Sequence, residues 1–278
     1  MYRVQRLIRS GCPPWLRQRC RVPATGVRSG VRIDLNADLG EGYPDDAALL
    51  AVVTSANVAC GFHAGDPELM ARTVGVAANA GVAVGAHPSF PDREGFGRRV
   101  MQRSPKAVEA DVSYQVGALL AICRAHGVRL VHVKPHGALY NQAAGDPELA
   151  AAIARAVHAV DPGLILVGLA SSQAMRDAAA SLGLRYASEA FADRAYETEG
   201  TLVSRNETGA MLSSVEAATE QAVRIATRGE VLAVDGSVVR LRADTLCLHG
   251  DSPGALHLAR AVRAALAAKG VSVAALPA

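Results

Sequence analysis

The chain has 278 residues, 50% of them hydrophobic and only 4% aromatic, enough for one large aliphatic domain or two small ones. The formal net charge of +3 is uneven: residues 1–30 hold seven arginines and no acid, leaving 22 of the 29 basic residues against all 26 acidic ones. A mildly acidic body does not suggest nucleic-acid binding, and no apolar run reaches the roughly 18 residues of a membrane helix.

Residues 1–30 lack the apolar core of a secretory signal. They are expected to be a basic, disordered extension or a start read too early, although an Arg-rich, acid-free stretch also suits an organelle transit peptide. Trp15, the only tryptophan, falls in this stretch. The five cysteines (Cys12, Cys20, Cys60, Cys123, Cys247) are scattered and show no C-x-x-C pair, so they read as reduced thiols of a cytoplasmic protein.

From Val31 onward, one domain over 31–278 is expected. Predicted strands span 31–36, 53–58, 82–86, 128–133, 163–168, 184–188 and 244–248. Predicted helices span 45–51, 66–80, 105–126, 146–160, 171–182, 208–228 and 254–269. Asp66-Pro67, Ser104-Pro105 and Asp146-Pro147 each place a capping residue before a proline at the first helical position. The segment "EVLAVDGSVVRL" reads as a hairpin turning at Asp235-Gly236. Strand–helix alternation argues for a parallel sheet. Six strands end in polar clusters, which favours a β/α barrel, whose strand ends share one mouth, over an open doubly wound sheet.

The first cluster, "DLNADLGEG", offers Asp34, Asn36, Asp38 and Glu41, the first three on one face if extended. "SANVACGFHAGD" adds Asn57, Cys60 and His63, with Cys60 read as an inert buried thiol. "GAHPSFPD" adds His87 and Asp92, and "EGFGRR" two arginines in a glycine-rich loop, read as a lid. In "HVKPHGALYN", Pro135 and Gly137 argue against a helix. An extended chain aims His132, Lys134 and His136 at one point, with Tyr140 and Asn141 following. That arrangement suits an anion or proton transfer. "EAFADRAY" adds Asp193 and Arg194, and "LCLHGD" adds His249 and Asp251. A metal set of Asp38, His63, His87 and His136 is also open, although the spacing is not specific.

Together "IDLNADLGEG", "SANVACGFHAGDP", "GAHPSFPDREGFGRR", "HVKPHGALYN", "EAFADRAY" and "CLHGD" resemble the LamB/YcsF family over about residues 31–273. The resemblance implies an irregular (β/α) barrel of about seven parallel strands, similar to that of polysaccharide deacetylases. It also implies ATP-dependent opening of 5-oxo-L-proline (pyroglutamate) to L-glutamate, as a 5-oxoprolinase component working with partner subunits B and C. ATP would enter as a co-substrate through those partners, since this chain has no G-x-x-x-x-G-K-[ST] loop. Ala37 departs from the family's usual cysteine, so a catalytic thiol is not available there.

On this reading Asp38, helped by His63 or His136, activates water. Lys134 and Arg194 hold the phosphoryl group or the substrate carboxylate, and His249 or Asp193 protonates the leaving nitrogen. Asn36, Asn57, His87, Tyr140, Asn141 and Asp251 complete the expected substrate pocket. Two rivals stand beside it: a lone metal-dependent amidohydrolase or carbohydrate deacetylase, and a non-catalytic subunit that binds a carboxylate.

Overall fold

The computed structural model describes residues 30–212, 214–248 and 254–277. Residues 1–29 of the basic extension, with Trp15, and the site candidates His249 and Asp251 lie outside the described residues. The strands are β1 (Arg32–Leu39), β2 (Ser55–Ala59), β3 (Ala83–His87), β4 (Leu130–Val133), β5 (Ile165–Leu169), β6 (Arg185–Phe191), β7 (Glu230–Leu232), β8 (Val238–Arg240), β9 (Thr245–Leu248) and β10 (Ser272–Val273). The helices are α1 (Asp46–Leu50), α2 (Pro67–Ala80), α3 (Pro105–Ala125), α4 (Gly137–Gly145), α5 (Pro147–Val160), α6 (Gln173–Ser181), α7 (Val215–Arg228) and α8 (Ala255–Ala268). Among the described residues no helix is long and apolar enough to cross a membrane.

Strands β1 to β6 pair side by side in chain order, and β9 pairs with both β6 and β1, closing a barrel of seven parallel strands. The expected barrel is therefore the observed one. The short β10 extends it beside the start of β1. The β7–β8 hairpin stands apart and turns through Gly236, whose φ of +84° needs no Cβ to be accommodated.

The helix starts follow the capping chemistry. Asp66 accepts from Leu69 N at 2.8 Å, Ser104 from Ala107 N at 3.3 Å, and Asp146 from Leu149 N at 3.1 Å. Two elements differ from expectation. The helix read as 208–228 begins only at Val215, capped by Ser214. The stretch before it pairs back onto the loop after β6: Ala195 N donates to Ala210 O and Leu212 N to Asp193 O. Helix α4 was not expected, because Pro135 and Gly137 argue against a helix there. The chain is extended through His136, then turns at Gly137 (φ +55°) into a helix that buries Ala138, Leu139, Tyr140 and Ala143.

Alternation along β1 sorts the two sides of the barrel wall. Ile33, Leu35, Ala37 and Leu39 join the main apolar core beneath the helices. Asp34 and Asn36 bond to side chains of β2, and Asp38 to Lys134 just beyond β4, inside the barrel. An apolar floor of Val131, Ile165, Val167, Ala187 and Leu276 closes the lower interior. Strand β4 carries one extra residue, because Val84 pairs with Leu130 but Gly85 with His132. This bulge lets Val131 join the floor while His132 also reaches the polar layer. Gly85 makes room for it: a Cβ there would overlap the His132 imidazole.

Candidate active site

Three interior layers converge on the mouth. In the lowest, Asp34 accepts from Thr54 Oγ1 (2.6 Å), Ser55 Oγ (2.7 Å) and Thr245 Oγ1 (2.6 Å). Burial nevertheless raises the Asp34 carboxyl above its ordinary value. Above it lie two amides. Asn57 Nδ2 donates to Asn36 Oδ1 (2.7 Å) and Asp38 Oδ1 (2.9 Å), while Asn36 Nδ2 donates to Glu189 Oε1 (3.0 Å) and Thr245 Oγ1 (2.6 Å). His132 donates through Nε2 to Asn57 Oδ1 at 2.7 Å. Neither Asn36 nor Asn57 lines the cavity; both lie beneath it and orient the groups above.

The top layer holds the charge. Lys134 Nζ lies 2.9 Å from Asp38 Oδ1, 3.0 Å from Glu189 Oε1 and 3.0 Å from Cys247 Sγ. Burial alone would lower this ammonium, but the Asp38 and Glu189 carboxylates hold it well above its ordinary value. Burial keeps Cys247 a neutral thiol, its pKa well above the usual range despite Lys134. Two buried polar atoms nearby, Tyr140 Oη and Glu189 Oε2, have no partner in strict hydrogen-bond geometry, and Glu189 lies close enough to act on the Tyr140 phenol. Burial raises the Tyr140 phenol well above its ordinary value, so it stays a proton donor at neutral pH.

A cluster of imidazoles adjoins Asp38. His87 Nε2 lies 3.3 Å from Asp38 Oδ2 and 3.0 Å from His136 Nδ1. His63 Nε2 lies 3.1 Å from Glu41 Oε1, and the His63 and His136 rings stack at 3.8 Å. Glu41, His63, His87 and His136 bring one donor atom each within 4.8 Å of one another, so they are able to hold a cation. The expected metal set contained Asp38 where the geometry places Glu41. Burial lowers His63 and His136 well below the ordinary imidazole value and His132 to about 3.

These lowered values set an expected pH response. A histidine neutral in the fold but titrating near 6.5 when unfolded contributes stability that is full above pH 6.5. For His132 that contribution drains as pH falls from 6.5 towards about 3. Urea midpoints of the wild-type chain should be flat above pH 7 and fall below pH 6. His132→Gln should flatten that fall by about 1.4 kcal/mol per pH unit. An unchanged slope in the variant would contradict the assignment.

The cavity has a volume of about 430 Å³. Asp38, Glu41, His87, Lys134, His136, Tyr140, Asn141 and Arg194 line it, with Arg98, Leu169, Phe191 and residues 201–206. His63 stands behind His136, and Asp193 is buried outside the lining. Arg194 reaches the cavity with two of its donors already taken, Nη2 by Val203 O (2.5 Å) and Nε by Ala210 O (3.2 Å). It thereby braces the loop after β6.

The loop read as a lid is tied down. Arg93 Nη1 donates to Gly61 O and Gly65 O, and Arg99 pairs with Asp92. Phe96 adopts φ +53°, a left-handed conformation that costs a non-glycine residue about 1–3 kcal/mol. Its carbonyl accepts from His136 Nε2 at 2.8 Å, so the strain aims an acceptor at the site. Cys60 is the inert thiol expected: burial pushes it to about 12. Glu189 was passed over in the sequence, where it appears as one acid within the strand "SEAF".

Residues 33–278 match the LamB/YcsF family. The A subunit of 5-oxoprolinase from Methylococcus capsulatus is 56% identical over 249 residues, covering 88% of this chain and 95% of that one. Its counterpart from Heliobacterium modesticaldum is 52% identical over 248 residues, covering 87% and 97%. The crystal structure of the lactam utilization protein from Thermus thermophilus superposes with a TM-score of 0.83 at 50% identity, covering 88% of this chain and all of that one.

Proposed function

The chain belongs to the LamB/YcsF family, and on that premise we propose that it opens 5-oxo-L-proline to L-glutamate, coupled to ATP hydrolysis, as the A component of a cytoplasmic 5-oxoprolinase with B and C partners. The observation that carries the reading is the Asp38 carboxylate, 2.9 Å from the Lys134 ammonium and 3.3 Å from the His87 imidazole and facing a cavity of about 430 Å³. A cavity of that size suits a five-membered lactam with its carboxylate. The buried free thiols of Cys60, Cys123 and Cys247 fit a reducing compartment.

The chemistry follows from the stability of an amide. The lactam oxygen must be activated, and a phosphoryl group from ATP supplies that activation through the partner subunits. Asp38 then accepts a proton from the attacking water as its oxygen bonds to the ring carbonyl carbon. The C–N bond breaks as the ring nitrogen takes up a proton, which leaves an acyl phosphate, and a second water releases phosphate and glutamate. Lys134 offsets the negative charge that develops, and Tyr140 Oη donates to the substrate. Asn36 and Asn57 act beneath the cavity by fixing Asp38, and Arg194 by bracing the wall.

The test is glutamate release from 5-oxoproline and ATP, first with this chain alone, then with B and C partners. Glutamate and ADP formed in step only in the full mixture support the proposal. A second reading, a lone metal-dependent amidohydrolase or deacetylase, is favoured by the Glu41, His63, His87 and His136 group. Amide hydrolysis by the chain alone, without ATP and abolished by chelator, would select it.

A further inference from the structure

The histidine cluster contains a contact that hydrogen bonding between neutral rings does not explain. His87 Nδ1 lies 2.7 Å from Lys134 O, and a carbonyl only accepts, so that nitrogen carries the proton. His136 Nε2 lies 2.8 Å from Phe96 O and carries its proton by the same argument. The remaining nitrogens, His87 Nε2 and His136 Nδ1, therefore present lone pairs to each other at 3.0 Å. Two acceptors at that distance repel unless a positive centre sits between them.

We propose that Glu41, His63, His87 and His136 bind one divalent ion of the zinc class, through Glu41 Oε1, His63 Nε2, His87 Nε2 and His136 Nδ1. Bonds of ~2.0–2.1 Å in tetrahedral geometry place donors about 3.3 Å apart. Three donor pairs here measure 3.0, 3.1 and 3.6 Å. Three imidazoles with one carboxylate select zinc or cobalt over magnesium or calcium, which take oxygen ligands. Backbone carbonyls already fix two of the imidazoles, as outer partners of metal ligands do. His63 must tilt out of its stack on His136 to ligate. Its Nδ1 has no hydrogen-bond partner and does not hold it back.

The site rests on side-chain geometry and not on the lactam reading, and its test uses neither 5-oxoproline nor ATP. The full chain is stripped with chelator and titrated with Zn²⁺ by calorimetry and with Co²⁺ by visible absorption. One equivalent is expected, with X-ray absorption of the zinc form showing three imidazoles. His63→Gln and Glu41→Gln should each weaken binding by more than about 100-fold, beyond the 10–100-fold typical of outer partners. His126→Ala, an exposed histidine elsewhere, should leave it unchanged. Substoichiometric binding by the wild-type chain would overturn the proposal, leaving a proton between His87 and His136. Fewer than three imidazoles in the zinc form, or unweakened binding in both site variants, would overturn it as well.

Discussion

Lys134→Ala is expected to lower kcat for ATP-coupled glutamate release by about 10²–10³ and to destabilise the chain by about 3–5 kcal/mol. The kinetic loss follows from removing the ammonium that faces the reacting group in the cavity. The stability loss has a separate origin. Asp38 and Glu189 each lie within 3.0 Å of Nζ, on side chains 12% and 0% exposed. Without Lys134 the two carboxylates keep their burial and lose their counter-charge. Urea unfolding measures the second effect, and Glu189→Gln in the Lys134→Ala background should restore part of it by removing one buried charge. Unchanged stability in Lys134→Ala would show that the ion pairs do not form as described.

Asp38→Asn separates charge from shape. The amide is nearly isosteric, and its oxygen can still accept from Asn57 and Lys134. The fold should persist, while kcat falls by about 10²–10⁴, the range for losing a positioned acid–base group. Binding of Zn²⁺ should survive, because Asp38 is not among the proposed ligands. Wild-type turnover from this variant would remove Asp38 from the chemistry. Loss of zinc binding would instead place it on the metal.

Much of this site was legible because it sits on strand ends, where side-chain direction follows from parity. His132, Lys134 and His136 reach the interior as alternation requires, and Asp34, Asn36 and Asp38 share a face. What parity could not supply was the order of depth. Asn36 and Asn57 belong to the layer beneath the cavity, which only the closed barrel defines. Glu41 follows the turn at Gly40, φ +72°, beyond the reach of strand alternation, so Asp38 stood in its place among the metal candidates. Glu189 carries no local mark of function: its role comes from Lys134, 55 positions earlier in the chain. Helix α4 was hidden by Pro135 and Gly137 at its start, and the loop before α7 by residues compatible with helix until the backbone pairs elsewhere.

The ties of Lys134 span the chain, with Asp38 96 positions away and Cys247 113. Those of Asn36 are longer still, reaching Thr245 209 positions on. Bringing such distant segments together carries a loop-closure entropy that must be met before any contact stabilises the product, so folding of this topology is slow. No stretch of the chain holds a working fragment of the site, because Lys134 after β4 meets Asp38 of β1 and Glu189 of β6 together only inside the closed barrel. Activity is therefore a late event in assembly. On refolding it returns with the slowest kinetic phase, after the helical signal has already recovered.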